Sequence, residues 1–163
     1  MNIFFLHEQP HVCAEYHCDK HVVKMILESA QLLSTAHRVL DNSTDDRLYK
    51  ATHVNHPSAI WARETDGNYN WLFSLFFNLC KEYTFRYNKN HKCESMCSFL
   101  LYHPENITIA PMTTPPICMP EQYKVDLNPV KCYRAYYNGD KARFAKWKLG
   151  NVPDWFIGGI NNV

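Results

Sequence analysis

Near the start of the chain, Cys13, His17, Cys18, Asp19, His21, Lys24 and Glu28 fall together in the stretch CAEYHCDKHVVKMILESAQLL. Their types allow three kinds of behaviour. An amine beside a carboxylate can combine nucleophilic attack with proton transfer. Cysteines and histidines four residues apart on a helix can hold a metal ion. A lysine four residues before a glutamate can also be an ordinary solvated pair, worth about 0.3–0.5 kcal/mol.

Spacing separates these readings in part. At about 100° per residue, with His21 as zero, His17, Lys24, Glu28, Gln31 and Thr35 lie within about 80° of one side. Cys13 joins that side. Val22, Val23, Ile26, Leu27, Ala30, Leu33 and Ala36 occupy the opposite face, and Met25 and Leu32 border the polar stripe. So narrow a stripe between apolar residues fits the wall of a cleft; a water-facing side is the plainer alternative. Metal binding is the weakest fit. Cys13, His17 and His21, with Cys18 nearby, and a second group of His91, Cys93 and Cys97 lack the CxxC pairs of recognisable zinc sites. Buried cysteine as a small hydrophobe is the commoner case. No metal and no cofactor are expected.

The elements that carry these residues read as helices. NIFFL is a short strand or a buried N-terminal arm. Pro10 suits a first helical turn, and a helical pattern runs from about 11 to 40, with a possible break near Cys18. DNSTDD is a polar connector. NHPSAIWARETDG starts a helix, capped by Asn55 or His56, with Pro57 at its first position and Gly67 as a candidate interruption. In NYNWLFSLFFNLCKEYTFRY, residues Trp71, Leu72, Leu75, Phe76, Leu79 and Tyr83 recur at helical spacing. NKNHK ends that helix, and a shorter one is predicted from Cys93 to Leu101.

Residues 103–120 hold five of the nine prolines and cannot be regular helix. A wrapping loop is expected there, with Ile107, Ile109, Met112 and Ile117 needing cover. Asn128 and Pro129 start another helix in NPVKCYRAYY; Asn138-Gly139 interrupts it, DKARFAKW resumes it, and NVPDWF closes the ordered chain. The expectation is an all-α fold, one compact domain over residues 1–163.

Composition agrees with a globular chain: 46% hydrophobic, 14% aromatic, formal net charge +1. A near-neutral balance neither favours nor excludes nucleic acid. No apolar run approaches the roughly 18 residues that span a membrane, and MNIFFLHEQP lacks a basic signal-peptide start. Seven cysteines suit free thiols in a reducing compartment. The expected location is inside the cell, a host cell if the source is viral.

DKHVVKMILE resembles the first-helix pattern of the pyrimidine-dimer DNA glycosylases of the phage endonuclease V type, in which an Asp and a His precede an active-site Glu by nine and seven residues. Asp19, His21 and Glu28 keep those intervals. KMILESAQLL is similar to the Lys-x3-Glu-x2-Gln run of small bacterial relatives, and NHPSAIWARETDGNYNWLFSLFFNLCKEYTFRYNKNH resembles their second segment. The resemblance covers about residues 1–90 usefully. It implies an amine that attacks deoxyribose C1′, expels the base and forms a Schiff base, followed by β-elimination that nicks the strand. Glu28 would be the assisting carboxylate. His21 would position Glu28 or contact a phosphate. The family uses the α-amine exposed when the initiator Met is removed. Asn2 disfavours that removal, which leaves the amine on Met1; Lys24 is the alternative nucleophile.

The implied partner is double-stranded DNA, with the protein acting as a monomer and without a membrane. Residues 131–148 supply Lys131, Arg134, Lys141, Arg143, Lys146 and Lys148 against Asp140 alone, a candidate phosphate-contacting surface. Tyr133, Tyr136, Tyr137, Phe144 and Trp147 interleave with these charges, and Trp147 is the aromatic expected to meet DNA. His56 and Arg63, seven residues apart on one helix face, are further candidate contacts. The expected function is excision of damaged or modified pyrimidines, with or without AP-lyase activity. The rival reading is a non-catalytic nucleic-acid or nucleotide-binding protein of the same fold, for example one that counters host defence.

Overall fold

A computed structural model describes residues 1–150 and 152–158, and its helices start where proline and capping side chains put them. Helix α1 (Pro10–Tyr16) begins on Pro10. Helix α2 (Asp19–Leu40) follows after His17 and Cys18 turn extended, so the expected break near Cys18 is real. Helix α3 (Pro57–Glu64) is capped by His56, which accepts from the Ser58 N–H. Thr65 caps α4 (Asp66–Tyr87) through the Asn68 N–H, and Asn88 ends it in the left-handed conformation at φ 53°. A 3-10 turn (Lys92–Met96) leads into the short α5 (Cys97–Leu100). Helix α6 (Pro129–Tyr136) has Asn128 as its cap and Pro129 in its first turn.

The fold is all-α, with no strand among the described residues, and no described helix is long and apolar enough to cross a membrane. The expected domain also takes in Asn151 and residues 159–163, which lie outside the described residues.

The long helices α2 and α4 pack on each other, with α1 against α4 and α3 against both. The N-terminal arm is not a strand. Ile3, Phe4, Phe5 and Leu6 are all buried and thread the arm into the core. Phe5 stacks on Trp71 with ring centroids 3.9 Å apart, and Phe4 stacks on His21 at 4.2 Å. Fully burying a phenylalanine contributes about 1.5–3 kcal/mol, so two of them hold the start of the chain firmly against α2 and α4.

Arg86 on α4 locks the α1–α2 break. Its buried guanidinium pairs with Glu82 at 2.8 Å and Asp19 at 2.9 Å, and it donates to the carbonyls of His17 and Glu15. Asp19 also accepts the Lys148 N–H at 2.9 Å. Asp19 therefore ties α2 to α4 and to the C-terminal segment.

Three expectations change. Gly67 does not interrupt a helix; Thr65 does, and Gly67 sits in the first turn of α4, where a Cβ would meet the Met112 backbone nitrogen at 2.5 Å. Of the four apolar residues expected to need cover between 103 and 120, only Ile107 is buried, while Ile109 is 70% exposed and Met112 39%. DKARFAKW does not resume a helix. Helix α6 runs on only as a π-turn (Tyr137–Lys141) that kinks at Gly139, against which the Tyr123 ring leaves no room for a Cβ.

Candidate active site

Glu28 is the focus, and it is only 8% exposed. Its Oε2 accepts the Asn2 backbone N–H at 3.0 Å and lies 3.8 Å from the Met1 α-amine. Its Oε1 lies 3.4 Å from Lys24 Nζ. The carboxylate thus faces both candidate nucleophiles, one on each oxygen. Burial would make an unpaired carboxylate costly; here the N-terminal arm supplies a hydrogen-bond donor and the preceding turn of α2 a positive charge.

The side chain of Asn2 fixes the arm. Its Nδ2 donates to the Cys118 carbonyl at 2.8 Å, and its Oδ1 accepts from the Ile3 N–H at 2.8 Å and from the Tyr133 hydroxyl at 3.1 Å. Tyr133 also takes the Cys118 N–H at 3.2 Å. A loop residue and an α6 residue, both more than 100 positions away in sequence, therefore hold the start of the chain onto Glu28.

His21 does not touch Glu28. It is buried, its Nδ1 lies 2.6 Å from the Tyr137 hydroxyl, and its ring is covered by Phe4 and Phe144. Burial, reinforced by the charges of His17, Lys141, Lys24 and Lys20, lowers its pKa from 6.5 to about 2. Burial lowers His17 to about 4. The imidazole is thus neutral and covered by its aromatic neighbours.

These two histidines set a pH dependence of stability. Below pH 6.5 the unfolded chain takes up protons that the folded histidines refuse. Stability is therefore complete above that pH and falls as the pH drops, with each group approaching about 1.4 kcal/mol per pH unit. For His21 this amounts to about 2 kcal/mol at about pH 5. Urea unfolding of wild type and His21→Gln at about pH 7 and about pH 5 should show a shallower pH dependence in the variant; equal slopes would count against a neutral buried His21.

His56 caps α3 through Nδ1, which accepts the Ser58 N–H at 3.1 Å. Its pKa is lowered by burial first, then by the charge of the N-terminal amine and by His53, with Glu28 opposing. It stands within electrostatic reach of the amine and the carboxylate. Arg63, by contrast, is half-buried and donates to the Val54 carbonyl at 2.9 Å.

The basic segment divides. Lys131 pairs with Asp126 at 2.8 Å. Arg134 donates to the Leu6 carbonyl and lies over the rings of Tyr16 and Trp155. Trp147 is only 7% exposed, and its indole N–H donates to the Tyr16 carbonyl, so it is core rather than a stacking surface for DNA. Lys146 is exposed, while Lys148 lies over Tyr87, away from Glu28. Lys141 lies over Tyr136 at 4.4 Å and near Phe4, the ring that covers His21. Arg143 lies over Phe144.

Sequence reasoning missed Asn2 and Lys20 as parts of this region, and named Tyr133 and Tyr137 only as aromatics of the basic segment. Lys20 left a signal, four residues before Lys24 and eight before Glu28.

Cysteine and histidine do not assemble a metal centre on α1 and α2. Cys13 Sγ donates to the Phe4 carbonyl, burial pushes its pKa up to about 12, and His17 Nδ1 is taken by the Cys13 carbonyl. Among the described residues, no three His, Cys, Asp or Glu side chains converge as metal ligands. A groove of about 610 Å³ is lined by residues such as Phe5, Glu8, Met112 and Leu127 and does not include Glu28.

A family model described as pyrimidine dimer DNA glycosylase matches residues 1–95 of the 163. That span holds the N-terminal arm, Glu28 and the four helices α1–α4; Cys118 and Tyr133 lie beyond it. No curated protein and no solved structure matches the chain.

Proposed function

This chain belongs to the pyrimidine dimer DNA glycosylase family, a family of DNA-repair glycosylases, and we propose that it excises damaged or modified pyrimidines from double-stranded DNA and nicks the strand as an AP lyase. The observation that carries this reading is the buried Glu28 carboxylate held between the Met1 α-amine at 3.8 Å and Lys24 Nζ at 3.4 Å.

The α-amine is the nucleophile in this reading. As a class, α-amines release their proton more readily than lysine amines, and the Asn2 clamp holds this one in place. The Lys24 side chain is 60% exposed. The neutral amine attacks C1′; the C1′–N bond to the base breaks and the base leaves with the electron pair and a proton. The nitrogen lone pair then forms the iminium as the C1′–O4′ bond breaks, and O4′ keeps that electron pair and takes a proton from water. Glu28 stabilises the developing positive charge through its own negative one. It then takes the C2′ proton, and the electrons left behind expel the 3′ phosphate. The enzyme acts as a monomer without a cofactor.

Borohydride reduction during incubation with duplexes carrying dimers, abasic sites or modified pyrimidines tests this reading. A covalent protein–DNA adduct is expected on at least the abasic duplex, together with a nick when borohydride is omitted. Normal DNA binding with no adduct and no nick would leave a non-catalytic nucleic-acid-binding protein.

A further inference from the structure

Three cations surround one aromatic ring beside this site. Lys20 Nζ lies 4.7 Å from the Phe144 centroid, the Arg143 guanidinium carbon 5.3 Å and Lys141 Nζ 6.0 Å. Each is within the range where a ring face attracts a cation. The three come from different places, Lys20 from the first turn of α2 and the other two from the kinked segment after α6. Like charges drawn together this way repel one another, and ring faces offset only part of that repulsion. Among the described residues no carboxylate pairs with any of the three, whereas Lys24, Lys124 and Lys131 each have one. The acids adjacent to these cations in sequence are engaged elsewhere: Asp140, next to Lys141, accepts from the Tyr123 hydroxyl at 2.7 Å, and Asp19, next to Lys20, pairs with Arg86 at 2.9 Å. Beneath the cluster His21 is covered by Phe4 and Phe144 and adds no charge.

We propose that Lys20, Lys141 and Arg143, gathered around Phe144, form a phosphate clamp that grips the DNA strand next to the nucleotide held at Glu28. The clamp rests on the reading of the Glu28 site as one that acts on DNA. Lys20, Lys24 and Glu28 follow one another at intervals of four residues along α2. Lys20 is thus about 12 Å from Glu28 along the helix axis, which is three to four base steps at about 3.4 Å of rise per strand. A strand running along this face of α2 therefore meets the clamp a few nucleotides from the reacting sugar. The clamp meets the N-terminal arm at Phe4, two residues from Asn2, since Lys141 lies 5.9 Å from its ring centroid.

Fluorescence anisotropy of an undamaged duplex, titrated between about 50 and about 200 mM salt, tests the clamp. Lys20→Gln, Lys141→Gln and Arg143→Gln should each lower the slope of log affinity against log salt by about one, and the triple variant by about three. Lys20→Arg should restore the wild-type slope. Lys50→Gln is the control, because Arg38 on the last turns of α2 holds the Tyr49 carbonyl and places Lys50 at the far end of that helix. It should leave the slope unchanged. Wild-type slopes in all three single variants and the triple variant overturn the clamp, as does wild-type protein that binds no duplex. If wild type forms no borohydride adduct but the slopes still drop, the clamp stands and the lyase reading fails. Adduct formation with unchanged slopes sinks the clamp alone.

Discussion

Glu28→Gln is expected to lower nicking of an abasic duplex by about 100- to 10,000-fold, the usual scale of a general base, while DNA binding stays at the wild-type level. The geometry supports a clean test. Glutamine keeps the size of the side chain, and its carbonyl can still accept the Asn2 N–H that now meets Oε2 at 3.0 Å. The negative charge that faces both amines is lost, and with it the capacity to take a proton. Single-turnover nicking measures the loss, and anisotropy with the same duplex shows whether binding survives. Nicking at the wild-type rate would remove Glu28 from the mechanism. One side effect is expected: Glu28 raises the pKa of His56, so the variant should leave His56 still harder to protonate.

Adding one residue ahead of Met1 is expected to abolish the borohydride adduct, whereas Lys24→Gln should retain it. The extension turns the Met1 nitrogen into an amide, which cannot form a Schiff base, and moves the new amine about 3.8 Å along the chain. The arm cannot slide back to compensate, because Asn2 is held by Cys118 and Tyr133 and the next four residues are buried. Peptide mapping of the wild-type adduct provides the independent check. Its mass places the DNA remnant on Met1, or on Asn2 if Met1 has been removed. Asn2 carries its nitrogen 3.0 Å from Glu28, so the processed chain would present an amine at the same carboxylate. An adduct on Lys24, or an undiminished adduct in the extended protein, would overturn the α-amine assignment.

Local signals in the sequence were sufficient for much of the helical framework. Pro10, Pro57 and Pro129 stand in first turns, His56 and Asn128 cap as their positions suggest, and the α4 pattern through Trp71, Leu72, Leu75, Phe76 and Leu79 is buried as its spacing implies. The face of α2 was legible only in part. Val23 and Leu27, assigned to the apolar side, are 41% and 38% exposed, while His21, Glu28 and Thr35 on the polar stripe are buried. Periodicity finds the stripe but says nothing of what covers it. Here the cover is an extended arm with no period of its own.

The intervals from Asp19 and His21 to Glu28 can be read directly from the chain, and they marked Glu28 because they match the first-helix pattern of the family the sequence resembles. The roles of the neighbours were decided by tertiary structure. Asp19 faces Arg86, His21 faces Tyr137 and Phe4, and Trp147 turns inward to Tyr16. The amine reaches Glu28 because Asn2 is pinned by residues 116 and 131 positions away. The sequence by itself determined the helices, since caps, prolines and periodicity act within a few residues, and it offered Glu28 through its resemblance to the family's first-helix pattern. Only the tertiary structure decided that the amine of the N-terminal arm meets that carboxylate and which cations gather beside Phe144, because burial and hydrogen bonding join groups that the chain keeps far apart.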